Sequence, residues 1–269
     1  MSTLAYFFIF CFGTIIGSFL NVVIYRFNSG KTLGGRSMCM TCSKTLAWYE
    51  LIPVFSYLFQ VGKCRSCSTR ISHQYPLVEL FTGVVFTMIA YHFYDIVFVS
   101  FNQYILLVSV YMMIFSLLLV ISVYDMRHKV IPDPLVFAFI VFSFFTMFIS
   151  SVPFGNLFVQ PSMSAFLAGP LYALPFALIW LLSRGRFMGL GDAKLILGIG
   201  WMFGIVQGGA ALMLSFWIGT IVSLLIIFFS KMKFSMNTEI PFGPFLAIST
   251  LIVFFFSLNV FDLASIFSF

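Results

Sequence analysis

The sequence predicts an all-α polytopic membrane protein of about eight transmembrane helices, with a small zinc-stapled cytoplasmic insert between the first two. Three observations predict it. Of 269 residues, 61% are hydrophobic and 8% charged, whereas a soluble domain carries about 25% charged residues, so a bilayer is the main solvent. Apolar stretches recur from end to end, leaving one polar stretch near the N-terminus. The basic residues fall in a few clusters between those stretches rather than along the whole chain.

A crossing helix needs about 20 mostly apolar residues. That length marks spans at Leu4–Tyr25, Leu77–Tyr94, Tyr104–Tyr124, Leu135–Ser151, Ala165–Leu182, Ala193–Val206, Ala210–Ser230 and Pro244–Val260. The sixth is short and glycine-rich, and the stretches from Phe93 to Asn102 and from Gly200 to Gly209 leave the count open between seven and nine. The opening residues MSTLAYFFIF lack the basic region and cleavage pattern of a secretory signal, so they belong to the first span. The domains expected are 1–25 as a first transmembrane helix, 26–75 as a zinc-binding insert and 76–269 as a membrane catalytic domain.

Eight spans make the connections alternate between two sides. One set holds Arg26 to Arg70, Arg127 to Lys129, Arg184 to Lys194 and Lys231 to Lys233, which together contain all 14 Lys and Arg residues. The positive-inside rule makes that set cytoplasmic and both termini external. The net charge of +6 then reflects topology and anionic lipid headgroups. Nucleic acid is not an expected partner, because no basic face carries interleaved aromatic platforms.

Within the polar insert stand Cys39-Met-Thr-Cys42 and, after 21 intervening residues, Cys64-Arg-Ser-Cys67. Two such pairs can place four thiolates around one tetrahedral zinc. A stretch of about fifty residues has little core of its own, and a metal is a common staple at that size. Two disulfides are the competing reading, which a reducing cytoplasm opposes. With four cysteines no coordination position remains for water, so the zinc is structural. The lone Cys11 in the first span reads as a packing residue.

The eight acidic residues differ in meaning. Asp125 falls where the third span ends, at the negative pole of a helix, a costly place for an anion. Either a local partner among Arg127, His128 and Lys129 explains it, or function does. Asp133 precedes Pro134 and reads as an N-cap of the fourth span. Asp192 follows Gly189-Leu190-Gly191 and opens the sixth span; alone it could equally be an N-cap. The topology nonetheless puts Asp125 and Asp192 at one depth on one side. Two aspartates at close range share a proton, one acting as base and the other as acid, which is the chemistry of aspartic peptide hydrolysis. No HExxH, GxSxG or paired histidine offers another route, and His73, His92 and His128 read as interfacial.

Eight stretches then carry a resemblance along nearly the whole chain: Gly17-Ser-Phe-Leu-Asn-Val-Val-Ile-Tyr-Arg26, the two CxxC pairs, Trp48-Tyr-Glu-Leu-Ile-Pro-Val54 between them, Gln74-Tyr-Pro-Leu-Val-Glu79, Asp125-Met-Arg-His-Lys-Val-Ile-Pro-Asp133, Gly189-Leu-Gly-Asp-Ala-Lys-Leu195 and Ile240-Pro-Phe-Gly-Pro-Phe245. The chain resembles the bacterial type IV prepilin peptidases, membrane aspartic proteases of the GxGD class that are also N-methyltransferases. The resemblance implies Asp125 and Asp192 as the catalytic pair. It implies type IV prepilins and pilin-like precursors as substrates, cut after a glycine at the cytoplasmic face of the inner membrane. It also implies methylation of the new N-terminus with S-adenosylmethionine as donor. No soluble methyl-donor motif stands in the sequence, so a donor site would be built from the zinc module and the membrane edge.

Glu79, early in the second span, is both a functional candidate and a carboxylate welcome in a first helical turn. Ser18 and Asn21 are polar groups late in the first span. Gly13 with Gly17, and Gly200, Gly204 and Gly208, have the spacing of close helix packing. A transporter would show mid-span charges and internal repeats, which are not evident here. A non-catalytic zinc-bearing scaffold would have no need of Asp125 and Asp192.

Overall fold

The computed structural model describes residues 2–30, 32–150, 156–229 and 240–265. The expected basic connection Lys231 to Lys233 lies outside them, as do the span ends placed at Ser151 and Ser230. The described residues are helical over most of each apolar stretch that predicts a span, although the helix of the fourth span stops at Thr146 and that of the eighth at Phe256, and they form no strand, only isolated antiparallel bridges. Two compact units result, residues 1–98 and 99–269.

In the first unit, α1 (Thr3–Arg26) is followed by the insert, in which a short 3-10 turn, Trp48–Leu51, precedes α2 (Phe55–Phe59). After the insert comes α3 (Gln74–His92). A helix of 24 residues is about 36 Å long, enough for the roughly 30 Å hydrocarbon layer. In lipid the apolar surface of a helix gains little by meeting another apolar surface, so close backbone approach holds helices together. The glycines of α1 supply it. A Cβ on Gly13 would sit 2.8 Å from Gly83 Cα, and one on Gly17 would sit 2.7 Å from Glu79 Cα. The descending partner numbers show that α1 and α3 run antiparallel. α3 packs on α1 within the compact unit 1–98.

The second unit holds α4 (Phe101–His128), α5 (Asp133–Thr146), α6 (Met163–Ser183), α7 (Leu190–Phe229), α8 (Gly243–Phe256) and the short α9 (Val260–Ser265). Its buried centre is made by Ile114 and Ile121 of α4, Phe139 of α5, Leu195 and Ile199 of α7, and Leu246 of α8. α6 instead leaves Leu167, Leu171, Leu174 and Leu178 exposed, an uncovered apolar stripe suited to lipid. The α7 run is two helices joined at Gly204, whose φ of 71° and ψ of −167° are not helical. Only glycine enters that region without strain, so the residue marks the boundary between the sixth and seventh predicted spans. The Tyr172 hydroxyl of α6 donates to the Ile205 carbonyl beside the break, satisfying backbone that the kink frees. Gly200 meets α6 closely, since its Cβ would lie 2.7 Å from Gly169 Cα.

Among the described residues α1, α4, α6 and α7 are long and apolar enough to cross a membrane, while α5 and α8 are apolar but shorter. The protein is therefore an all-helical, multi-pass membrane protein.

Candidate active site and metal centre

Asp125 lies in the last turn of α4 and is 4% exposed. Its position opposes the α4 dipole, and the relief comes from another helix. The backbone N–H of Gly243, first residue of α8, donates to Asp125 Oδ2 at 3.1 Å. That N–H is one of the orphan donors at a helix start, where an anion is favoured. The close fit requires glycine: a Cβ on Gly243 would lie 2.7 Å from the same oxygen.

Asp192 occupies the first turn of α7 and is 9% exposed. The Gly189 backbone reaches its carboxylate, and Asp125 is its charged neighbour. Its Oδ1 is buried without a hydrogen-bond partner among the described residues. Buried polar atoms are nearly always satisfied, so such an oxygen calls for an explanation. Gly191 lets Ile131 close over the segment, for a Cβ there would lie 2.7 Å from Ile131 Cβ. The second unit thus buries both predicted aspartates at helix ends, near enough for the charge of one to act on the other.

Asp133 corrects an expectation. The N-cap of α5 is Pro132, Asp133 is the first helical residue, and its carboxylate makes no cap. It binds Lys194 Nζ at 2.6 Å instead. Lys194 is two residues past Asp192, so the ion pair ties the start of α5 to the start of α7. An ammonium is a stronger partner for a carboxylate than the α5 backbone, which decides the competition. Glu79 is also more engaged than a first-turn carboxylate need be: its Oε2 accepts from Val54 N at 2.7 Å, joining α3 to the insert. His73 Nδ1 bonds the Tyr57 hydroxyl at 2.7 Å, and the His128 ring lies 4.4 Å from that of Tyr124.

In the first unit, Cys39, Cys42, Cys64 and Cys67 converge, with all four Sγ atoms within 4.8 Å of one another. No disulfide joins them. The Sγ atoms of Cys39 and Cys67 are 3.7 Å apart, and a tetrahedron with Zn–S bonds of about 2.3 Å has sulfur edges of about 3.8 Å. Two copies of one turn build the cluster. Cys39 N donates to Lys44 O and Cys64 N to Thr69 O, Ser43 and Ser68 both have φ of 57°, and the bridges Met38 to Thr45 and Lys63 to Arg70 close the two turns. This duplication was visible as two CxxCS strings, though the sequence reading used only their cysteines. Thr69 Oγ1 stands 3.3 Å from Cys67 Sγ, and the Thr69 side chain and backbone hold that thiol down to about 6. Such a set is suited to holding one soft or borderline divalent metal as thiolates.

Comparison with known proteins matches both regions. Residues 11–93 fit the bacterial peptidase A24 N-terminal domain, and residues 112–224 fit the type IV leader peptidase family. The prepilin leader peptidase/N-methyltransferase of Vibrio cholerae is 31% identical over 251 residues, covering 90% of this chain and 92% of that protein. The chain belongs to the type IV leader peptidase family. The protein of the same name from Bacillus subtilis is 30% identical over 249 residues, covering 92% and 93% of the two chains. That from Myxococcus xanthus is 49% identical over a shorter stretch of 80 residues, 29% of this chain and 24% of its own. No solved structure matches. In this member of the leader peptidase family the first matched region contains the four cysteines and the second contains both Asp125 and Asp192.

Proposed function

We propose that the chain cleaves the leaders of type IV prepilins and pilin-like precursors through Asp125 and Asp192, and then methylates the new amino terminus. The observation that carries the first part is the buried Oδ1 of Asp192, which has no hydrogen-bond partner among the described residues and feels the charge of Asp125. The names of the full-length relatives support the substrate class and the second activity.

In the peptidase step one carboxylate of the pair is ionised and its neighbour holds the proton. The ionised group takes a proton from a water molecule as the water oxygen attacks the scissile carbonyl carbon, and the neutral group donates to the carbonyl oxygen. Collapse of the tetrahedral intermediate breaks the C–N bond, with the proton taken from water passing to the leaving amine. The Gly243 N–H fixes Asp125 throughout, so its carboxylate is oriented before substrate arrives. Burial keeps the site in a low-dielectric setting where such electrostatics are strong. The scissile bond follows a glycine at the cytoplasmic membrane boundary, a depth supported by the helix-end positions of both aspartates.

The four cysteines hold one zinc as a structural staple of the insert 26–75, and S-adenosylmethionine supplies the methyl group. Residues 76–269 form the membrane catalytic region. Eight crossings, with α7 counted as two, place every basic connection in the cytoplasm, and the protein resides in the bacterial inner membrane. The test is leader cleavage, followed as loss of precursor mass in membranes carrying each variant. Asp125→Asn and Asp192→Asn should each abolish it while the protein stays inserted with zinc bound. Substantial cleavage by either overturns the assignment.

A further inference from the structure

Between Trp48 and Val61 the insert reverses the usual amphipathic arrangement. In α2, Phe55, Leu58 and Phe59 stand at i, i+3 and i+4, one side of the helix, and all three are exposed, Phe59 by 78%. The polar Ser56 and Tyr57 are the half-buried ones. With Gln60 they line a cavity of about 680 Å³ in the first unit, and the Tyr57 hydroxyl bonds His73 Nδ1. Trp48 and Val61, at the two ends of the segment, are 78% and 80% exposed. A helix folded in water turns its apolar side inward, and large apolar side chains left open together mark a surface with a partner.

Two contacts set the depth of this segment. Glu79 Oε2 accepts from Val54 N at 2.7 Å, and a Cβ on Gly17 would lie 2.7 Å from Glu79 Cα. Val54 therefore hangs on a residue packed against Gly17. Gly17 is nine residues before Arg26, the last residue of α1, a distance of about 14 Å along the helix. Because α1 is long and apolar enough to cross a membrane, Glu79 lies level with the crossing part of α1. The segment it holds lies at the bilayer boundary on the Arg26 side. The backbone shows how firm the hold is: Val54 has φ of 62° and ψ of −53°, a region that a β-branched residue keeps only when its surroundings force it.

The neighbouring charges are of one sign. Residues 26–75 contain seven Lys and Arg and a single acidic residue, Glu50, which is buried. Lys44, Lys63, Arg65 and Arg70 are exposed. The Arg65 guanidinium lies 5.2 Å from the centre of the Tyr49 ring, which itself meets the Trp48 ring edge-on. Aromatic and apolar side chains with Lys and Arg beside them are the composition of a bilayer interface, and anionic headgroups complement that charge. A second copy of the chain would instead bring two basic faces together, which like charges oppose.

We propose that Trp48–Val61 is an interfacial anchor, whose apolar side chains enter the headgroup–acyl boundary of an anionic bilayer while Lys63 and Arg65 meet the headgroups. The insert then has a third attachment to the membrane, besides the ends of α1 and α3.

The experiment places the photocrosslinking residue benzoylphenylalanine at Phe59 of the zinc-loaded full chain, in bilayers of phosphatidylethanolamine and phosphatidylglycerol. Mass spectrometry after irradiation identifies what has attached, with a prepilin precursor added in a parallel sample. A lipid adduct is expected as the main product in both. It should fall about tenfold or more in the double variant Phe55→Asp, Leu58→Asp with zinc content unchanged, and about twofold or more when phosphatidylcholine replaces phosphatidylglycerol. The same label at Trp48 should also attach to lipid, a reading that does not depend on the aspartate variant keeping its fold. Attachment to residues 99–269, to a second copy or to the precursor in place of lipid overturns the proposal, as does a lipid yield that the two aspartates leave unchanged. A yield indifferent to lipid charge overturns the part given to Lys63 and Arg65.

Discussion

The two units solve opposite problems. Residues 26–75 are too polar and too few to build a hydrophobic core, so the insert gathers four thiols and duplicates one turn around them. The second unit has abundant apolar surface and must instead accommodate two carboxylates, Asp125 and Asp192, that apolar surroundings disfavour. It does so with helix ends: the α8 start donates to Asp125, and Asp192 stands in the first turn of α7. On the proposed reading the insert takes its shape from a bound metal, and the second unit owes its chemistry to helix placement. Losing a cysteine should damage structure first, and losing an aspartate should damage only the reaction.

The largest expected effect sharpens that contrast. Asp125→Asn and Asp192→Asn should each lower leader cleavage by about a thousandfold or more, and the double variant should be scarcely worse than either, because groups that share one transition state are not additive. Steady-state cleavage of a purified precursor measures this. Multiplying effects would mean that the two carboxylates work independently.

Next in size is the metal. Chelation, or replacement of Cys39, Cys42, Cys64 or Cys67 by serine, should release about one equivalent of zinc, since closed four-cysteine sites hold small modules in their fold. Metal analysis and limited proteolysis read the outcome. The expected new cleavage sites lie within 26–75, with the helices of the second unit still protected.

Gly243→Ala should have an intermediate effect. The added methyl would lie 2.7 Å from Asp125 Oδ2, so the carboxylate must move, and misplacement of about 1 Å can cost about a hundredfold in rate. The loss should fall on kcat rather than KM, with insertion and zinc content unchanged. The smallest effect is Asp133→Asn. The Asp133 to Lys194 pair is at the surface, with the Asp133 side chain 72% exposed, and such pairs contribute about 0–1 kcal/mol. Cleavage should stay within about fivefold of wild type, and loss comparable to that of Asp125→Asn would mean the wrong aspartate of the segment had been assigned.

Legibility in the sequence followed the range of the interactions. The Cys39–Cys42 and Cys64–Cys67 pairs declare themselves because each turn is closed within a few residues and four thiols have few other uses. The helices were legible from apolar length, and the break at Gly204 lies within the stretch from Gly200 to Gly209 that left the span count open. Asp125 and Asp192 stood out through their depth and their resemblance to a family, since a helix-end aspartate is equally a cap. What could not be read is long-range. The Gly243 to Asp125 bond joins residues 118 apart, and the Lys194 to Asp133 pair joins residues 61 apart. The second of these turned an expected N-cap into an ion pair. The cavity of the first unit was likewise illegible, because its lining is drawn from α1, the insert and α3 together.

The separation of the two proposed activities is tested most directly by one assay on Asp192→Asn. The purified variant is given an already cleaved pilin and S-adenosylmethionine, and transfer of the labelled methyl group is measured beside leader cleavage of the intact precursor. The account predicts methylation within about twofold of wild type and no detectable cleavage. Parallel loss of both activities in folded, zinc-loaded protein would contradict it.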